Sequence, residues 1–244
     1  MTHQAARESA LTQAGFHLAA REFVSTWSGS TGRTFECKAM RWRMGEWLMT
    51  GMVDTVGLSR LWDERWPGCS KLPYELRGVQ DRWVRFHTLP GSKRYPDTET
   101  EYEIVLARHN SVLAELVAGS ALLMVTAGYS DRPEPEEPCR SPETVAVHPD
   151  GRYWTSVCMD DDPGFESYMH LYVSQTAWSV GCWDPLLRQV ADDVIGNVLV
   201  ADVGLRWLYH PYDGGMDVIL PSMAERDALQ HRHRDWLSAH PTGL

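Results

Sequence analysis

The chain has 244 residues, a formal net charge of −10 and a pI of about 5.4. Because phosphate contacts by cationic side chains dominate nucleic-acid affinity, a net-acidic chain without a basic run is a poor nucleic-acid binder. No apolar run reaches the length of about 18 residues that a membrane-spanning helix needs. The first residues also lack the continuous apolar segment of a signal peptide. We therefore expect a cytoplasmic protein without nucleic-acid or membrane partners.

The cysteines argue against a metal centre or a disulfide framework. An odd number at wide spacings, with no C-x-x-C pair, is typical of free thiols in a reducing compartment. The H-E-x-x-H pattern of metalloproteases is absent, and two histidines near the C-terminus are two residues apart, which places them on different sides of a helix. We predict no metal and no cofactor. The five cysteines are Cys37, Cys69, Cys139, Cys158 and Cys182.

The first 57 residues are predicted to form an N-terminal extension that is more helical than the rest. Apolar residues recur at roughly helical spacing over residues 4–24. Small, flexible residues then interrupt the pattern at 27–34. Residues 58–244 are predicted to form a single α+β domain.

The elements of this domain become clear from residue 58 onwards. Apolar residues on one face predict a helix that Pro67-Gly68 ends, and a second short helix is expected near residues 73–79. Residues 83–89 alternate, which predicts a half-buried strand with Val84 and Phe86 facing the core.

A helix and a buried strand follow this first strand. Thr98 and Glu101 have the spacing of a capping box, and the helix after them should reach about Gly119. The apolar run 121–129 is typical of a strand that is buried on both faces. Strand, helix and strand in this order indicate a crossover unit.

The second half of the chain is rich in strands. Four prolines make residues 131–143 a solvated loop, and a hairpin is predicted on either side of the acidic turn at 159–166. A helix should follow, with Asp184 as a possible N-cap, Pro185 at N1 and Gly196 at C′. Short strands and a closing helix complete the chain, so the fold class is predicted to be α+β with a mixed sheet packed against helices.

The stretch RFHTLPGSKRYP is the first candidate site. In a strand, Arg85 and His87 point the same way, and Lys93, Arg94 and Tyr95 lie before a helix N-terminus, where backbone N–H groups favour an anion. One interpretation is therefore an anion or ligand pocket. The alternative is an ordinary surface loop whose cations pair with Asp97, Glu99 or Glu101 and whose tyrosine holds the loop against the helix.

A second candidate cluster is polar and contains a glycine turn. His210, Tyr212, Asp213 and Asp217 surround Gly214-Gly215, which is a strong hairpin signal. His109, on the apolar face of its helix, could turn toward His87, or it could be a core histidine that is hydrogen-bonded to a neighbour. The turn residues likewise could form either a polar site at a sheet edge or only a tight hairpin.

Standard catalytic signatures are missing from the sequence. It has no G-x-S-x-G elbow, no P-loop and no G-x-G-x-x-G. A Cys/His pair stays open because such groups are assembled in space. We therefore expect a binding protein more than an enzyme.

Three segments together resemble an uncharacterised bacterial family of unknown function. They are WVRFHTLPGSKRYP, the RHN step of the following helix, and YDGGMDVI with a later DWL step. The resemblance covers about residues 58–240. This chain has Thr88 where the family motif has serine, and HPYDGG where the family is closer to H-x-Y-D-D-R-G. The family carries no established activity.

Two hypotheses follow for the function. The first is a non-catalytic, immunity-like partner protein whose acidic surface binds a basic protein. The alternative is an enzyme or small-ligand binder that grips an anionic substrate through Arg85, His87, Lys93 and Arg94, with histidine as the acid–base group. The sequence sets no oligomeric state.

Overall fold

The structure is a computed structural model that describes residues 23–28, 34–39, 53–117, 119, 121–160, 162 and 166–238. Its contacts divide the chain into two compact units, residues 1–50 and 51–244. In the first unit, β1 (Phe23–Ser28) and β2 (Thr34–Ala39) pair in antiparallel register. The helix predicted over residues 4–24 is wrong at Phe23 and Val24, which lie in β1. Aromatic and β-branched residues such as these favour a strand. The rest of the predicted helix lies outside the described residues. The division predicted between residues 57 and 58 stays a prediction.

The second unit alternates helices with strands, and a run of three short strands precedes its last helix. Its helices are α1 (Thr55–Arg65), α2 (Glu99–Leu116), α3 (Pro142–Val147), α4 (Asp184–Ala191) and α5 (Met223–Arg232). Its strands are β3 (Trp83–His87), β4 (Leu122–Ser130), β5 (Arg152–Asp160), β6 (Ser167–Thr176), β7 (Leu199–Asp202), β8 (Leu208–Tyr212) and β9 (Gly215–Ile219). Three 3₁₀ turns lie at Pro73–Gly78, Pro90–Ser92 and Arg234–Trp236.

The seven strands of this unit form one sheet in the order β3-β9-β8-β7-β4-β6-β5. The α+β class is confirmed, but the mixed sheet is corrected, because every pairing in this sheet is antiparallel. β3 and β4 run in the same direction, as the predicted crossover requires, yet they are not neighbours. The strands β9, β8 and β7 lie between them and supply each with an antiparallel partner.

Helices cover both faces of the sheet, so the unit has two cores. On the face that α2, α4 and α5 cover, which we call the α2 face, Val84 and Phe86 are 4% and 0% exposed, as predicted for an inward-facing pair. On the opposite face, the α1 face, Trp62 from α1 and Leu76 from the first 3₁₀ turn belong to the same buried cluster as Leu171 of β6. Burying an apolar side chain of this size contributes roughly 1.5–3 kcal/mol. The two cores therefore fix the register of every strand.

Local signals explain where the helices begin and end. Thr98 is the N-cap of α2, as predicted, and its hydroxyl accepts from the Glu101 amide. For α4 the prediction is wrong by one residue at the start and by several at the end. Trp183 is the N-cap, and Asp193, with φ of 57°, takes the left-handed position that ends the helix before Gly196.

Candidate functional site

The two clusters predicted from the sequence lie side by side at one edge of the sheet. β3 pairs with β9, so Arg85 stands opposite Asp217 and His87 stands opposite Gly215. All of these residues project onto the α1 face, because they alternate with core residues of the α2 face. The cationic stretch and the glycine turn therefore belong to one folding unit.

Arg85 and Asp217 form a largely buried ion pair. Arg85 Nε and Nη2 donate to the two carboxylate oxygens at 2.7 and 2.9 Å, and the Asp217 side chain is 1% exposed. The guanidinium carbon lies 5.2 Å from the ring centres of both Trp83 and Tyr212. Such bidentate geometry is the strong form of this interaction, so the Arg85 charge is already matched within the protein.

The two cations of the loop after β3, Lys93 and Arg94, also form ion pairs with carboxylates. Lys93 Nζ lies 2.8 Å from Asp97 and 2.5 Å from Glu101. Arg94 Nε lies 2.5 Å from Asp213, which links the loop after β3 to the turn between β8 and β9. Each of the three cations thus has a carboxylate partner. Only Lys93 pairs with the carboxylates that the alternative interpretation named, because the partners of Arg85 and Arg94 belong to the second cluster.

The remaining two residues of the first cluster are His87 and Tyr95. Burial and the charge of Arg85 lower the pKa of His87, and its Nε2 is buried without a hydrogen-bond partner among the described residues. Tyr95 is exposed, and a hydrogen bond to Asp213 raises its pKa. Neither side chain adds an unpaired positive charge to the edge.

The second cluster is divided by the sheet. His210 lies on the α1 face with Asp217, and its Nδ1 donates to the Val198 carbonyl at 2.7 Å. His109 lies on the α2 face, where its Nδ1 is 2.5 Å from the Tyr209 hydroxyl and burial lowers its pKa to about 3. His109 is therefore a buried core histidine, and it does not meet His87.

A polar layer that the sequence reasoning missed lies on the α2 face of β4, β5 and β6. Alternate residues of β6, namely Tyr168, His170, Tyr172 and Ser174, face this layer, whereas Met169, Leu171 and Val173 belong to the core beneath α1. This alternation was visible in SYMHLYVS. The segment 131–150, which includes α3, supplies most of the partners of these side chains.

His148 is the centre of one hydrogen-bonded group in this layer. Its Nε2 is 2.7 Å from Ser174 Oγ and its Nδ1 is 2.9 Å from Thr126 Oγ1. The residue is 3% exposed, and burial followed by the charge of Arg140 lowers the pKa of His148 to about 4. The ring is therefore neutral near pH 7, and its unprotonated nitrogen can accept a hydrogen bond from a hydroxyl group.

Ser174 and His148 line a half-open cavity of about 320 Å³. The other walls come from the end of β6, the segment around α3 and the start of α4. Polar and apolar side chains share the inner surface, the apolar ones being Met124, Val147, Trp183 and Leu186 among others. A concave site in which apolar walls meet convergent polar groups can hold a small molecule.

A second histidine in the layer has two hydroxyl partners. Ser130 donates to the Arg132 carbonyl, so His170 Nε2 donates to Ser130 at 2.7 Å. The opposite nitrogen, Nδ1, therefore accepts from Ser156 at 2.7 Å. These residues do not line the 320 Å³ cavity. They form a closed network that joins three strands.

Tyr172 fastens the segment 131–150 to the sheet. Its hydroxyl donates to Glu137 at 3.1 Å and lies 2.9 Å from the Cys139 thiol. The Arg140 guanidinium stacks 4.3 Å from its ring centre and donates to the His148 carbonyl. Because these contacts place α3 over the layer, they also hold His148 in position.

Acidic side chains gather at the end of the sheet where β4 and β5 finish and β6 begins. Exposed carboxylates come from the loop after β4 and from the turn between β5 and β6, namely Asp131, Glu134, Glu136, Glu137, Asp160, Asp162 and Glu166. Ser130 at the end of β4 pairs with Tyr168, and Asp160 at the end of β5 pairs with Ser167, so the two segments leave the sheet side by side. We call this group the acidic end.

The described residues contain no group of three or more histidine, cysteine, aspartate or glutamate side chains arranged to hold a metal ion. None of the helices within those ranges is long and apolar enough to cross a membrane.

Comparison with known families identifies the domain. The family described as Domain of unknown function (DUF3885) matches residues 72–241. The chain belongs to the DUF3885 family. The resemblance predicted from the sequence motifs is thereby confirmed. The matched part of the DUF3885 domain begins after α1 and contains the whole seven-stranded sheet. No curated protein and no solved structure matches this chain.

Proposed function

We propose that this DUF3885 protein binds a basic protein partner through the acidic end. The observation that carries the proposal is the presence of exposed carboxylates from residues 131–137 and 160–166 at the same end of the sheet. Arg132 is the one basic side chain within these two segments, and it pairs with Glu136 at 2.7 Å. The acidic end therefore keeps a large excess of negative charge.

The fold adds a second feature that suits protein binding. β5 is an edge strand of the sheet, and it pairs only with β6. Within the described residues, the outer edge of β5 has no strand neighbour, and an edge of this kind can pair with a strand of a partner. Two bulges, near Tyr153 and Cys158, interrupt its register with β6. Opposite charge would accelerate and orient the encounter.

An immunity-like role is the specific form of this proposal. In it, the acidic protein neutralises a basic toxin without any chemical step of its own. The formal charge of −10 supports this role, since complementary fields select a partner of opposite sign.

The alternative, an anionic substrate held by the cationic stretch, has less support from the geometry. Arg85, Lys93 and Arg94 each already have a carboxylate partner within 2.8 Å. An incoming anion would have to displace those carboxylates. Leaving the Asp217 carboxylate unpaired at 1% exposure would be costly.

Affinity capture from a lysate of the source organism, followed by binding measurements with the purified captured protein, tests the proposal. The variant Glu134→Gln/Glu136→Gln/Asp160→Asn removes three charges from the acidic end. The matched control Glu64→Gln/Glu75→Gln/Asp81→Asn removes three exposed charges from α1 and the segment that follows it.

We expect a basic captured protein whose affinity falls by about tenfold or more in the acidic-end variant, stays within about twofold in the control, and weakens as salt is raised. Capture of no protein, or equal affinity for the two variants, would refute the proposal.

A further inference from the structure

Ser174, His148 and Thr126 form a chain of hydrogen bonds at the wall of the 320 Å³ cavity. In the tautomer with the proton on Nδ1, the His148 ring donates to Thr126 Oγ1 and its Nε2 accepts from the Ser174 hydroxyl. A nucleophile within hydrogen-bond distance of a base, with the base oriented by a third group, is the arrangement that activates serine. Threonine occupies the orienting position here, where a carboxylate is more usual.

We propose that Ser174 is the nucleophile of a hydrolytic site for small carboxylic esters, with His148 as the general base. Thr126 is a positioning residue that holds the His148 ring. This activity goes beyond the binding of a basic protein, and the cavity is lined by none of the carboxylates of the acidic end.

The chemical step balances with water as the only co-reactant. Ser174 Oγ attacks the ester carbonyl carbon while His148 Nε2 takes the hydroxyl proton. The bond from the carbonyl carbon to the alkoxy oxygen then breaks, and His148 returns the proton to the leaving alcohol. Water, deprotonated by the same nitrogen, then attacks the acyl carbon of the acyl-serine. The bond from that carbon to Ser174 Oγ breaks, His148 returns the proton to Oγ, and the carboxylic acid leaves.

The cavity indicates the class of ester. Its volume lies near the lower end of the range for small-molecule sites, and the side chains of Met124, Val147, Trp183 and Leu186 supply the apolar part of its wall. These features favour a short acyl group.

The same sheet supplies a matched comparison. Ser156 also donates to a buried histidine, His170, at 2.7 Å. Ser156 does not line the cavity, and its hydroxyl additionally contacts the Tyr153 hydroxyl at 2.9 Å. A reagent that needs both an activated serine and access to the cavity should distinguish Ser174 from Ser156.

An alkyl fluorophosphonate is the probe. Its phosphorus takes the place of the carbonyl carbon, so the Oγ–P bond forms, fluoride leaves, and His148 takes the proton. We expect the full-length protein to gain one phosphonyl group, which peptide mass spectrometry locates on Ser174. Ser174→Ala should abolish the label and the hydrolysis of p-nitrophenyl butyrate, whereas Ser156→Ala should keep both.

Thr126 is tested by the rate of labelling. Thr126→Val removes the hydroxyl at nearly constant volume and should slow labelling by about 100-fold, the usual scale of a general-base contribution. Thr126→Ser restores the hydroxyl and should recover most of the rate. A purely structural role would change thermal stability in the valine variant without this rescue of rate.

No label on the folded wild-type protein after prolonged exposure, or a label at any other residue, would overturn the proposal. These outcomes are independent of partner capture, because the probe reports on the cavity and the charge variants report on the acidic end.

Discussion

Arg85 and Asp217 are 132 residues apart in the sequence, yet they share two hydrogen bonds across neighbouring strands of the sheet. The pair lies where the cationic stretch after Phe86 meets the hairpin that ends in β9. It explains why an acidic protein keeps so many cations in one short segment. Arg85 and Arg94 hold two distant parts of the chain together, whereas Lys93 pairs within its own loop and the start of α2.

Removal of Asp217 should therefore destabilise the domain strongly. Asp217→Ala leaves the Arg85 guanidinium half-buried and without its partner, and breaking a buried pair on one side costs about 3–5 kcal/mol. Urea denaturation measures the free energy of unfolding. Asp63→Ala, at an ion pair whose carboxylate is 71% exposed, is the control and should change that free energy by less than about 1 kcal/mol. Equal effects of the two substitutions would contradict this account.

The turn between β8 and β9 should not tolerate a side chain at Gly214. This residue has φ of 89°, and an added Cβ would come within 3.1 Å of the Arg94 backbone. Gly214→Ala should therefore cost more than about 1 kcal/mol of stability. Gly196→Ala is the matched control, because an added Cβ there meets nothing within 4 Å. A thermal unfolding midpoint that falls in the control as much as in Gly214→Ala would argue against the described turn.

Acid should destabilise the domain through two buried histidines. Burial lowers the pKa of His109 to about 3 and that of His148 to about 4, whereas both titrate near 6.5 when unfolded. Below pH 6.5 the unfolded chain therefore binds more protons than the folded chain. The stability that the neutral histidines contribute is fully present above this pH and is lost as the pH falls toward 4.

The slope of the free energy of unfolding against pH measures this effect. Each histidine should contribute up to about 1.4 kcal/mol per pH unit between pH 6 and 4. Denaturation of His109→Asn, which keeps a polar atom near the position of Nδ1, should show a smaller slope than the wild type over this range. An unchanged slope would mean that His109 is not buried in its neutral form.

The 3₁₀ turn after α1 should be an essential part of the α1 face. Leu76 is 0% exposed there and packs in the core that lies beneath α1. Leu76→Ala should lower the free energy of unfolding by about 2–5 kcal/mol, as for other large-to-small core changes. Val56→Ala provides a comparison at a residue that is 61% exposed and should be nearly neutral. The two values are compared by urea denaturation.

The sequence by itself determined the elements whose signals are local. Thr98 predicted the start of α2 because a capping hydroxyl acts within one turn, and the alternation around Val84 and Phe86 predicted both β3 and its buried face. The glycine turn predicted the hairpin of β8 and β9, since a positive φ is a property of one residue. Family membership also followed from contiguous motifs.

Tertiary structure alone decided which strands are neighbours and which polar residues meet. The insertion of three strands between β3 and β4 depends on hydrogen bonds between distant segments, and no local pattern specifies them. The pairing of Arg85 with Asp217, and of His148 with Ser174, arises in the same way. A charge or a hydroxyl group in a sequence does not reveal its partner, because that partner is fixed only when the chain has packed.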